Sequence, residues 1–155
     1  MGARSDAERL STVVVNSLDE PADSVELARR AYRSRTQFFR VFRAMIEETP
    51  AAMRRRLLLE RAAWQLGQTR LPVTEIALEA NYGSLEAFTH AFRRAFRISP
   101  SLYRRMGATH FHLPGPNAIH FCPASRSEGD AMDLFDMFAG ADSFHIKRLL
   151  DHARG

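Results

Sequence analysis

An all-α fold is what the sequence predicts, and two observations support it. Residues 5–105 have the apolar spacing of successive amphipathic helices separated by short breaks, and no stretch there alternates apolar and polar residues as a half-buried strand does. Residues 24–43 and 73–94 also share one pattern, which indicates a duplicated helical unit. We therefore expect two similar helical units joined by a long helix.

The breaks between the predicted helices contain turn and capping residues. They fall near residues 19–21, 32–34, 48–50, 67–72, 81–83 and 99–100. Ser34 and Ser84 suit the N-cap position of a helix, and Thr49 precedes Pro50, which suits the first helical position. Residues 50–66 then predict a long helix of about 26 Å at 1.5 Å per residue.

Length and composition exclude several classes of protein. The 155 residues predict about one domain with an appendage, and 45% hydrophobic and 26% charged residues exclude wholesale disorder. No stretch approaches the roughly 18 apolar residues of a membrane helix, and the N-terminus lacks the apolar run of a signal peptide. Cys122 is the only cysteine, which excludes an intrachain disulfide. We expect a cytoplasmic protein without membrane contact.

The charge is unevenly distributed along the chain. Residues 1–105 hold 18 arginines against 12 acidic residues, a net charge of +6. Residues 106–155 hold 4 basic and 6 acidic residues, a net charge of −2. A basic excess confined to the predicted helical units favours an anionic partner for them.

The two units match position by position. At an offset of 50 the matching pairs are Tyr32 and Tyr82, Ser34 and Ser84, Phe38 and Phe88, Phe42 and Phe92, and Arg43 and Arg93. The pair Leu27-Ala28 matches Ile76-Ala77 at an offset of 49, which puts a one-residue difference in the turn. Each unit is a short helix, a tight turn and a second helix whose two phenylalanines face inward. This is the layout of a helix-turn-helix motif, whose second helix enters the major groove of DNA.

The outward residues of the two second helices are the candidate DNA contacts. They are Arg35, Thr36, Gln37, Phe39, Arg40 and Arg43 in the first unit, and Ser84, Leu85, Glu86, Thr89, His90 and Arg93 in the second. The first face is basic and suits guanine edges and phosphates, and Phe39 suits a thymine methyl group. The second face is mixed, and Glu86 suits a cytosine amino group. One such helix would more simply be an ordinary amphipathic helix; the duplication, with basic flanks, favours double-stranded DNA as the partner.

The spacing of the two units is also informative. A helix of about 26 Å, with its connections, would let one chain place two recognition helices near 34–46 and 84–96 in adjacent major grooves, which are about 34 Å apart.

The stretch IALEANYGSLEAFTHAFRRAFRISPSLYRR, residues 76–105, resembles the most specific part of the DNA-binding domain of AraC/XylS-family transcriptional regulators. The likeness extends over residues 6–105. It implies a seven-helix, two-lobed domain of a bacterial regulator that binds double-stranded DNA and commonly activates transcription through RNA polymerase, without enzymatic activity or a cofactor. Asn81 stands where the second helix-turn-helix motif of the family has a turn glycine. In the first motif, Tyr32 or its neighbour stands in place of the turn glycine. Asparagine tolerates the left-handed conformation, so the turn should form.

The last third of the chain predicts two further segments. Residues 106–130 contain several prolines and predict either an irregular linker or a small hairpin in which residues 109–113 pair with 118–122. Residues 131–155 predict an amphipathic helix that resembles, weakly, the opening of a DinB-like domain. We expect a monomer or a weak dimer through this helix, which is possibly the truncated start of an effector domain whose ligand the sequence does not identify.

An alternative function would be a zinc-binding or thiol-based protein centred on His110, His112, His120 and Cys122. Alternate residues of a hairpin share a face, and nitrogen and sulfur ligands suit zinc. The simpler interpretation is a set of polar residues in an exposed linker, and we predict no metal site.

The run Arg54-Arg55-Arg56 lies in the long predicted helix. It has two interpretations, a solvated helix face or a set of phosphate contacts. The sequence favours neither.

Overall fold

The structure, a computed structural model, describes residues 2–123, with side chains from residue 6 onward. Its helices are α1 (Gly2–Val15), α2 (Ser24–Arg30), α3 (Arg35–Ile46), α4 (Pro50–Gln68), α5 (Val73–Glu79), α6 (Leu85–Phe96) and α7 (Pro100–Met106). The described residues contain no β-strand, so the all-α, seven-helix prediction is confirmed. The helix predicted over residues 131–155 lies outside the described residues.

The described residues form two compact units. The first unit comprises residues 2–54 and 115–123, and the second comprises residues 55–114. The long helix α4 therefore contributes its first residues to one unit and the remainder to the other. At 19 residues it is two residues longer than predicted.

The core of the first unit lies between α1, α2 and α3. Phe38, Phe42 and Ile46 recur every four residues along α3, so they share one face of the helix, and all three are buried. The rings of Phe38 and Phe42 lie 5.5 Å apart. The other buried apolar residues of this unit are Leu10, Val14, Leu18, Leu27, Ala28, Ala31, Met53, Ile119 and Phe121.

The core of the second unit repeats this arrangement. Phe88 and Phe92 of α6 are fully buried, with ring centroids 5.6 Å apart. Tyr103 of α7 packs edge-on against Phe92, and its hydroxyl donates a hydrogen bond of 2.9 Å to the carbonyl of His110. The same cluster contains Leu59, Ala62, Ala63, Leu66, Ile76, Ala77, Ala80 and Leu113.

Both second helices begin at the predicted serine caps. The hydroxyl of Ser34 accepts a hydrogen bond from the backbone N–H of Gln37, and that of Ser84 accepts one from Ala87. These bonds satisfy N–H groups that a helix start otherwise leaves without a partner. The first residue of each second helix is therefore fixed by the sequence, at 35 and at 85.

The turns of the two units differ by one residue, and the backbone shows where that residue lies. Tyr32 and Asn81 both have a left-handed backbone, with φ of 53° and 67°. The next residue in each turn, Arg33 or Tyr82, donates its N–H to the carbonyl of Ala28 or Ala77 at 3.0 Å. The predicted match of Tyr32 with Tyr82 is therefore wrong. Tyr32 corresponds to Asn81 and Arg33 to Tyr82.

Gly83 is therefore the additional residue of the second turn, and the offset becomes 50 only after it. The periodic phenylalanines and the capping serines lie beyond this point, so they matched correctly from the sequence.

The segment after α7 forms no hairpin. Residues 107–123 contain no strand, which removes the pairing that would have brought the histidines and Cys122 onto one face. The segment is also not simply an exposed linker, because Leu113, Asn117, Ile119 and Phe121 are buried. Sequence analysis missed this burial because the intervening prolines and glycine obscure any periodic pattern.

Two members of the arginine run have structural roles. Arg54 is buried and donates hydrogen bonds to the hydroxyl and carbonyl oxygens of Ser17, at 3.2 and 3.1 Å. Arg56 is buried and pairs with the fully buried Glu60 at 3.2 Å. Both predicted interpretations are therefore wrong for these two residues, and only Arg55 is exposed.

Candidate nucleic-acid interface

The outward face of α3 is basic and largely exposed. All six of its predicted contact residues, namely Arg35, Thr36, Gln37, Phe39, Arg40 and Arg43, are exposed. The buried phenylalanines fix this orientation, because burying every fourth residue turns the intervening positions toward solvent. Phe39 keeps 40% of its surface exposed, beside two fully buried aromatic side chains of the same helix.

The arginines of α2 are paired within the protein. Glu26 accepts hydrogen bonds from Arg29 at 2.8 and 2.9 Å and from Arg30 at 2.8 Å. The bonds from Arg29 and Arg30 lower the pKa of the Glu26 carboxyl from 4.5 to about 2. Arg30 also pairs with Glu20 at 2.6 Å, and Arg33 with Asp6 at 3.3 Å. The charge of this part of the unit is therefore largely neutralised.

The arginines of α3 differ from those of α2. Within the part of the chain that the structure describes, Arg35, Arg40 and Arg43 form no ion pair, and α3 contains no acidic residue. Arg35 donates a hydrogen bond of 3.1 Å to the hydroxyl of Ser24, which orients its guanidinium group. Three exposed cations on one helix, without internal counter-ions, suit phosphates and the acceptor edge of guanine.

The outward face of α6 is mixed in charge. Five of its predicted contact residues, namely Ser84, Leu85, Glu86, His90 and Arg93, are exposed, whereas Thr89 is half-buried. The hydroxyl oxygen of Ser84 is used as the helix cap, which leaves its O–H as a donor. Leu85 keeps 44% of its surface exposed in the first turn, beside Glu86. This face offers an acceptor in Glu86, an apolar side chain in Leu85 and an imidazole in His90.

Two further arginines, Arg94 and Arg97, are exposed at the C-terminal end of α6 and were not among the predicted contacts. Together with Arg93 they form a basic cluster suited to phosphate contacts. A usable signal was the position of Arg94 in the last turn and of Arg97 at the C-cap, because cations at that end also interact favourably with the helix dipole.

The zinc alternative finds no support in the described residues. His110 and His112 have ring centroids 6.3 Å apart, but residues 6–123 contain no group of three or more histidine, cysteine, aspartate or glutamate side chains able to hold a metal ion. None of the helices α1 to α7 is long and apolar enough to cross a bilayer.

A family model described as a helix-turn-helix domain matches residues 27–106, from within α2 to the end of α7. The chain is 38% identical over 99 residues to the transcriptional activator RclR of Escherichia coli, covering 62% of this chain and 35% of that protein. It is 34% identical over 101 residues to an uncharacterised helix-turn-helix regulator of Haemophilus influenzae, covering 63% and 34%. The chain thus spans about a third of the length of these curated relatives.

The fold is also found in solved structures. The DNA-binding domain of AdpA, determined in complex with a target DNA, is 32% identical and superposes with a TM-score of 0.58, covering 63% of this chain and 91% of that one. An AraC-type regulator from Chromobacterium violaceum is 25% identical with a TM-score of 0.62, covering 70% and 96%.

The family model, the relatives and the two solved structures all point to one class of DNA-binding helix-turn-helix protein. The chain belongs to the AraC-type helix-turn-helix family of DNA-binding transcriptional regulators.

Proposed function

We propose that this chain is the DNA-binding part of a transcriptional regulator that reads two adjacent segments of major groove, one with α3 and one with α6. The observation that carries the proposal is the contrast between the two helices of the first unit. The arginines of α2 are paired with internal carboxylates, whereas the exposed arginines of α3 are not paired among the described residues. Exposed arginines without internal ion pairs on the outward helix are available to bind the phosphate groups of DNA.

The two faces have different proposed roles. On α3, Arg40 reads a guanine edge, Phe39 contacts a thymine methyl group, and Arg43 contacts phosphate. On α6, Glu86 accepts a hydrogen bond from a cytosine amino group and His90 contacts a second base edge. The basic face supplies more of the affinity, and the mixed face supplies more of the discrimination.

The domain boundaries and the regulatory output belong to the same proposal. Residues 6–105 form the DNA-binding domain. Because the relative RclR is named an activator, activation through RNA polymerase is the proposed output. Such a role would place the protein with the chromosome, in the bacterial cytoplasm.

Selection from a randomised duplex library of about 20 base pairs tests the proposal. We expect enrichment of two short sequence boxes about one helical turn apart. The affinity for the enriched duplex should fall steeply with salt concentration, because each neutralised phosphate releases counter-ions. A single enriched box would contradict the role of one helix, and the absence of both enrichment and salt-dependent binding would contradict the proposal as a whole.

A further inference from the structure

Asn117 lies outside the segment that matches the family model, yet its side chain is attached to the end of α3. Its amide nitrogen donates a hydrogen bond of 2.9 Å to the carbonyl of Ile46, the last residue of that helix. The same nitrogen donates to the Glu48 carboxylate at 3.1 Å. Asn117 keeps only 7% of its surface exposed, and its bond to the Ile46 carbonyl is buried.

The C-terminal end of α3 needs such a donor. The last carbonyls of a helix have no partner within it, and they carry the negative end of the helix dipole. Glu47 closes the helix in a left-handed conformation, with φ of 62°, and the carboxylate of Glu48 follows directly. Two acidic residues beside that negative end are unfavourable, and the Asn117 amide offsets this by bonding a carbonyl and a carboxylate at once.

The amide of Asn117 is itself held in one orientation. Its side-chain oxygen accepts a hydrogen bond of 3.2 Å from the backbone N–H of Ile119, two residues further on. Ile119 and Phe121 are buried in the same unit, which anchors this part of the segment. The NH2 group is therefore aimed at α3 by the local turn and by the burial of the residues after it.

We propose that Asn117 is a positioning residue for DNA recognition by α3. It fixes the last turns of the helix, which carry Arg40 and Arg43, although it never contacts DNA. The inference rests on the proposed function, in which α3 reads one of two boxes.

The second unit provides an internal control. At the offset of 50 that holds for this part of the repeat, Ile98 stands where the first unit has Glu48. The end of α6 therefore has no carboxylate at the position that corresponds to Glu48, where an amide like that of Asn117 could donate a hydrogen bond. Loss of Asn117 should affect recognition of the α3 box and leave recognition of the α6 box unchanged.

The test uses Asn117→Ala, Asn117→Asp and the double variant Asn117→Asp/Glu48→Gln, each in the 155-residue chain. Alanine removes the donor, and aspartate adds a third negative group at the helix end. In the double variant the amide of the introduced glutamine donates to the introduced carboxylate, which restores a hydrogen bond between the two positions. Glu48→Gln alone is the matched control.

Two readouts distinguish positioning from general stabilisation. The first is the affinity for the library-selected duplex and for duplexes with either box scrambled. We expect Asn117→Ala to weaken binding to the intact duplex about tenfold, the scale of one buried unsatisfied carbonyl. Asn117→Asp should weaken it more, and the double variant should recover part of the loss. Scrambling the α3 box should abolish the difference from wild type, and scrambling the α6 box should preserve it.

The second readout is amide hydrogen exchange, which needs no DNA. In the Asn117 variants, the amides of the last turn of α3 should exchange faster than in wild type. The exchange rates of the amides in α6 should not change. The inference would be overturned if the variants lost affinity equally for both boxes. It would also be overturned if they bound DNA and exchanged amide hydrogens as wild type does. If wild type itself shows no sequence preference, the proposed function fails while exchange at α3 still tests the positioning role. If the aspartate variant does not fold, the alanine variant supplies the same comparison.

Discussion

Tyr32 and Asn81 occupy the same left-handed backbone position in the two turns, although one is a bulky aromatic residue and the other a residue that tolerates this conformation. Their φ angles are 53° and 67°. The side chain of Tyr32 is 97% exposed, so no packing offsets the backbone strain. The first turn is therefore the more strained of the two.

Replacing Tyr32 should stabilise the protein. We expect Tyr32→Asn to raise the free energy of unfolding by about 0.5–1 kcal/mol, because asparagine reduces the cost of a left-handed residue. Tyr32→Ala is the matched control, since alanine lacks the side-chain amide that stabilises the left-handed conformation of asparagine and should bring no gain. Urea denaturation measures both variants. An equal gain for alanine and asparagine would show that the side chain, and not the backbone, was unfavourable.

Glu60 should be important for the stability of the second unit. It is fully buried, pairs with Arg56 at 3.2 Å and accepts the N–H of Leu113 at 2.9 Å. Glu60→Gln should cost about 3–5 kcal/mol, because it leaves the buried Arg56 charge without a carboxylate at this position.

The double variant Arg56→Met/Glu60→Gln tests the reason for that cost. It removes the charge as well as its partner, so it should be more stable than Glu60→Gln alone. Thermal unfolding compares the two variants, and an additional loss in the double variant would show that the buried Arg56 charge is not the cause of the cost.

The Glu26 ion pairs predict a specific dependence on pH. The pKa of Glu26 is lowered from 4.5 to about 2 by Arg29 and Arg30, so its contribution to stability is present above about pH 4.5. It is lost as the pH falls toward 2, where the folded protein also binds the proton. The stability difference between wild type and Glu26→Gln should therefore be constant above pH 4.5 and shrink below it. A difference that persists at pH 2 would contradict this origin.

Arg40 and Arg43 should differ in what they contribute to DNA binding. Arg40→Ala should cost about 1–3 kcal/mol and relax the preference at one base position, as expected for a base contact. Arg43→Ala should weaken binding to all sequences alike and reduce the salt dependence by about one released ion. Titrations at several salt concentrations, on the selected and a scrambled duplex, separate the two. Identical behaviour of both variants would contradict the assigned roles.

The helices and their buried faces were predictable because they depend on local patterns. The phenylalanines of α3 and α6 recur every four residues, and Ser34 and Ser84 precede each helix, so spacing alone indicates both position and orientation. The correspondence of Tyr32 was mispredicted because two tyrosines near the turns suggested a match that the backbone does not make.

The roles of Arg54, Glu60 and Asn117 were not predictable from spacing. Their partners Ser17, Leu113 and Ile46 are each at least 30 residues away along the chain. Only the pair of Glu60 with Arg56 lies within one helix, α4. A run of arginines or an asparagine between prolines resembles solvated surface until its partners are known. Burial of these polar groups follows from tertiary contacts that no periodic signal records.

The most direct test of the central claim is to repeat the library selection with wild type, Arg40→Ala and His90→Ala. Arg40 lies on α3 and His90 on α6, and both are exposed. If each helix reads its own box, Arg40→Ala should lose sequence information in one box only and His90→Ala in the other. Loss in the same box for both variants, or in neither, would contradict two recognition helices acting from one chain.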